Sequence, residues 1–219
     1  GFKVEDENVI SQGSVVAVAD GQCMMIVDQG KIVDFCAEPG EYIFDTNAQP
    51  TLLYGDFNTE KLKAVLKEAF DRFSFGGQLG RDQRVYYFNT KEIMGNKFGT
   101  ANPIMFDVVN KQIGFRRTVQ VRCNGMYTYF LSDPLLFYTK VCGNVEQDYT
   151  RDQIDAQLKT EFISALQPAL GALSELELRP AQLPGKVNEL RTAMNEALRY
   201  EWVESRGITV GKIALNPIT

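Results

Sequence analysis

The side chains that could do chemistry are scattered along this chain. Asp107, Asp133, Asp148 and Glu161 are isolated by spacing, and a helix cap or a solvated face accounts for each. General acid–base work needs two titratable groups converging on one place, and nothing local pairs these four. The chain has no histidine. That excludes a triad with an imidazole base, a His-ligated zinc and a histidine switch near neutral pH. Cys23, Cys36, Cys123 and Cys142 lack CxxC spacing and lie in apolar or strand-like runs. Buried, reduced thiols are expected, because a core this large needs no disulfide staples.

Two binding chemistries also fail on spacing. Gly21, Gly30 and Gly40 stand in three separate turns, with neither a G-x-G-x-x-G run nor a P-loop lysine, so turn formation explains them better than a phosphate cradle. Tyr86, Tyr87 and Phe88 would suit a stacking platform for single-stranded nucleic acid. Successive strand residues point to opposite faces, so the three cannot share one platform. No catalytic, cofactor-binding or metal residue is assigned, and neither a cofactor nor a small-molecule substrate is expected.

The elements around these residues are clearer. The stretch Phe115–Pro134 alternates with a period of two: Phe115, Val119, Val121, Cys123, Tyr127, Tyr129 and Leu131 define an inward face, interrupted by Arg117 and Gly125. A long central strand is predicted, stopped by Asp133-Pro134 and feeding a short apolar helix start through Leu135, Leu136, Phe137 and Val141. Upstream, Val15–Ala19, Cys23–Val27 and Ile32–Cys36 read as strands of a compact β-meander. Asp20-Gly21, Gln29-Gly30 and Pro39-Gly40 supply its turns before Tyr42–Phe44. An amphipathic helix is predicted over 59–73, with core packing favoured over a membrane surface. Arg84–Asn89 and Pro103–Val109 read as strands and Lys97–Thr100 as a turn.

Beyond the central strand the chain turns helical. Ile154, Leu158, Phe162, Ala165, Leu166 and Ala169 form one stripe, and Pro168 is expected to kink or end that helix. Glu175–Arg179 reads as a strand or loop connector. Val187, Leu190, Met194, Ala197, Leu198 and Trp202 mark the inner face of a second helix, closed by Gly207 in the left-handed conformation. The last strand slips phase between Val210 and Ile213, which predicts a bulge at Gly211 or burial on both faces.

Composition sets the outer bounds. The 219 residues are 44% hydrophobic and 23% charged, within the soluble globular range. Lysine and arginine number 23 against 28 acidic residues, a net −5 that argues against a nucleic-acid partner. No apolar run approaches the ~20 residues of a spanning helix and no signal peptide is visible. Gly1 in place of methionine points to a trimmed chain.

Taken in order, several segments together resemble the SPFH (band 7, prohibitin-homology) superfamily. Val15–Gly40 resembles its opening hairpins with a Pro-Gly turn, and FNTKEIMGNKFGT (88–100) with PIMFDV (103–108) resembles its middle. VQVRCNGMYTYFLSDPLLF (119–137) is similar to its strand-then-Asp-Pro segment. EWVESRGITVGKIAL (201–215) is similar to its helix, glycine and final strand. The bacterial branch called "virion core protein-like" is the nearest in pattern, and no viral function follows from that label.

The resemblance implies an α+β SPFH domain over 9–219, with a β-rich part over about 9–110. An α/β part over about 111–219 would hold a long central strand and two helices. It implies no enzyme but a membrane-associated scaffold that oligomerises, often in rings, and recruits membrane-stress effectors of the phage-shock type. Self-association is expected through a C-terminal coiled coil beyond Thr219. The other expected partner is a membrane surface or membrane protein at the cytoplasmic membrane, met from the cytoplasm. The alternative is a peripheral lipid-binding module without large assembly, touching headgroups through the 59–73 helix or the early hairpins. No hydrophobic N-terminal anchor like that of stomatins and prohibitins is seen.

Overall fold

The computed structural model describes residues 15–28, 31–43, 83–142 and 151–219. The predicted 59–73 helix, the Gln29-Gly30 turn and Asp148 lie outside these residues. The chain divides into two compact units, Gly1–Lys91 and Glu92–Thr219.

In the first unit β1 (Val15–Val18) pairs antiparallel with β4 (Gly40–Ile43). β2 (Gln22–Asp28) lies between β3 (Lys31–Cys36) and β5 (Gln83–Asn89). This corrects the β-meander expectation: β1 leaves its sequence neighbour and pairs with the fourth strand. The strands and their turn at Asp20-Gly21 are as read, with Gly21 at φ 71°, where a side chain would be strained. β2 is buried on both faces, so its apolar run CMMIV is continuous rather than alternating. On one face Met24, Ile26 and Cys36 join Val16 and Val18, with Tyr42, Val85 and Tyr87 packed against them. Tyr86 and Phe88 point the other way and stack at 6.5 Å, while Tyr87 does not join them.

The second unit holds a three-stranded antiparallel sheet of β6 (Ile93–Gly99), β9 (Asn124–Leu131) and β10 (Ile208–Leu215), with β9 in the middle. A separate hairpin joins β7 (Ile104–Asn110) to β8 (Phe115–Val121). Two expectations are corrected here. Lys97–Gly99 is the end of β6 and not a turn. The long strand is two strands in two sheets, broken at Arg122-Cys123. The break has a visible cause. Cys123 donates its N–H to the Thr100 hydroxyl and accepts the Thr100 N–H, and Arg122 exchanges backbone bonds with Thr219, so neither residue is available to one continuous ladder. Inward alternation holds from Val121 through Cys123, Tyr127, Tyr129 and Leu131, but Phe115 is 44% exposed.

Asp133 ends β9 and caps α1 (Pro134–Phe137), its carboxylate accepting the Leu136 N–H at 3.1 Å. A π-helical turn over Tyr138–Cys142 follows. α2 (Arg151–Ser174) continues past Pro168, so the proline does not end it. Leu166, Ala169, Leu170 and Leu173 around the proline are all buried. Their packing outweighs the lost backbone bond. A turn then leads to α3 (Val187–Ala197), which packs against α2 and β10. The predicted second helix changes form after Ala197, which is exposed. A π-helical turn over Arg199–Glu204 carries Trp202 inward, fully buried. Gly207 sits at φ 65°, and its carbonyl accepts the N–H groups of Ser132 and Asp133. The β10 ladder shifts register between Val210 and Ile213, where the bulge was predicted.

Candidate functional site

Of the four carboxylates singled out from the sequence, Asp107, Asp133 and Glu161 have structural work, and Asp148 lies outside the described residues. Asp133 is the cap just described. Asp107 on β7 accepts the Thr118 hydroxyl at 2.6 Å and faces Arg116 at 3.5 Å. Glu161 on α2 is the centre of a connected polar group. It accepts both Arg206 guanidinium N–H groups, at 2.6 and 2.7 Å, and the Trp202 indole N–H at 3.2 Å. Burial pushes its carboxyl up, but the Arg206 bonds and charge, with Trp202 and Gln157, outweigh that and hold it below its ordinary value.

Around this group lies an aromatic core. Tyr127 on β9 stacks on Phe162 of α2 at 4.1 Å and 8°, and Phe98 of β6 meets Phe162 at 4.9 Å. Trp202 closes the cluster at 6.4 Å from Tyr127. The Tyr127 hydroxyl is buried without a hydrogen-bond partner. Nearby, Tyr129 donates to Asp155 at 2.6 Å.

Beside the Glu161–Arg206 pair a pocket of about 230 Å3 is lined by Phe137, Lys140, Gln157, Leu158, Arg206 and Ile208, among others. Among the described residues its lining offers no hydroxyl, thiol or carboxylate. The Arg206 guanidinium is held by Glu161 and does not deprotonate at working pH. The pair therefore clamps the Trp202 turn to α2 rather than moving protons. Sequence spacing did not reveal it, because the partners lie 45 residues apart. Trp202 and Arg206, one helical turn apart, were the only local sign.

The cysteines fit the reading of buried hydrophobes. Cys23, Cys36 and Cys123 are buried, Cys142 is half-buried, and all four are free. Burial pushes Cys23 and Cys142 up to about 12 and raises Cys123, which keeps the thiols protonated and poorly nucleophilic. Among the described residues no group of three or more acidic, cysteine or histidine side chains could hold a metal ion. Among them, no helix is long and apolar enough to cross a membrane.

The model of the SPFH domain-Band 7 family matches residues 2–219. The chain belongs to the SPFH domain-Band 7 family. No curated protein matches it. The mixed α+β architecture, with strands first and helices and a closing strand after, is that of an SPFH domain. Members of the family are commonly membrane-associated scaffolds. The groups described above suit that role: in this SPFH domain the polar constellations cap, clamp and cross-brace elements.

Proposed function

We propose that this SPFH domain is a non-enzymatic scaffold in a membrane-associated assembly. The observation that carries the reading is the family match across residues 2–219. It is supported by the employment of Asp107, Asp133 and Glu161 as braces, which leaves none of them poised for acid–base work. Assembly follows from a coiled coil after the last strand, where each heptad adds an a/d layer. Many weak lateral contacts between globular domains then hold by avidity. The partner is a membrane surface or a membrane protein at the cytoplasmic face of a bacterial membrane, with membrane-stress effectors as recruits.

Light scattering coupled to size exclusion tests the assembly, on residues 1–219 and on the natural full-length protein at matched concentration. Residues 1–219 should run as a monomer or weak oligomer and the full-length form as a large assembly. A full-length protein that stays monomeric would overturn the scaffold. Liposome flotation of the monomeric form tests the contact with the membrane. Flotation without assembly would replace the scaffold by a peripheral lipid-binding module.

A further inference from the structure

We draw no further inference here: the strongest candidate, the cavity of about 230 Å3 beside Lys140 and Arg206, is lined from both sides of residues 143–150, which lie outside the described residues, and nothing in the structure shows what covers it.

Discussion

Tyr127 shows how a residue can be well packed and still carry a cost. Its ring is stacked on Phe162 while its hydroxyl is buried without a partner. Removing that hydroxyl spares a desolvation penalty and leaves the stack intact. Tyr127→Phe should therefore be neutral or more stable by about 1 kcal/mol in urea unfolding, and a clear loss would reveal a bond to the hydroxyl. Glu161 works the other way. Its folded value lies below the ordinary one, so its contribution is full above about 4.5 and fades as pH falls through the folded value. Glu161→Gln should cost about 2 kcal/mol at pH 7, a gap that narrows in melts taken below pH 4.5. Asp34 has the opposite sign. Burial pushes its carboxyl up to about 6, with the Phe35 N–H opposing, so stability is full below its ordinary 3.8 and is lost as pH rises through about 6. Asp34→Asn should raise stability at pH 8, on the order of 1–2 kcal/mol, and have little effect at pH 3.5. An unchanged pH 8 melting temperature would count against that burial.

At the scale of elements, α2 is the informative case. A proline in a helix interior forfeits a backbone bond and crowds the preceding turn, at a cost of about 3 kcal/mol. Pro168 is itself exposed, yet Leu166 and Leu170 beside it are fully buried. The helix continues because both its turns around the proline are pinned to the core, not because the proline is harmless. Pro168→Ala should raise stability by about 2–3 kcal/mol in denaturant titrations. A destabilised variant would show that the proline sets a bend on which the packing depends. β8 teaches a related lesson. Its alternation resembles that of β9, but its exposure pattern is that of an edge, and only its pairing with β7 tells the two apart.

For the molecule as a whole, the division at Lys91 and Glu92 has a direct consequence. The second unit contains its own sheet, the helices α2 and α3 and the aromatic core around Trp202, the only tryptophan. Residues 92–219 expressed alone should unfold cooperatively, with native emission blue-shifted and a red shift on denaturation. Emission like that of free indole before any denaturant is added would show that the unit depends on the rest of the chain.

Much of this was legible in the residues. A period-two run marked β9, and short apolar or aromatic runs bounded by turn residues marked β2, β5 and β10. The spacing of Leu158, Phe162 and Leu166, or of Leu190, Met194 and Leu198, marked the helices. Asp133-Pro134 and Gly207 marked their ends. These signals are local: alternation, helical spacing and backbone restriction act within a few residues of their cause. Tertiary structure decided what depends on distant partners. β1 crosses to β4, the long strand breaks where Thr100 and Thr219 claim its backbone, and α2 survives Pro168 because the core holds both sides of it. Glu161 meets Arg206 only because α2 and the Trp202 turn pack together. Pairing and packing energies exceed the local preferences at those points, and they depend on which surfaces meet rather than on which residues are neighbours in the chain.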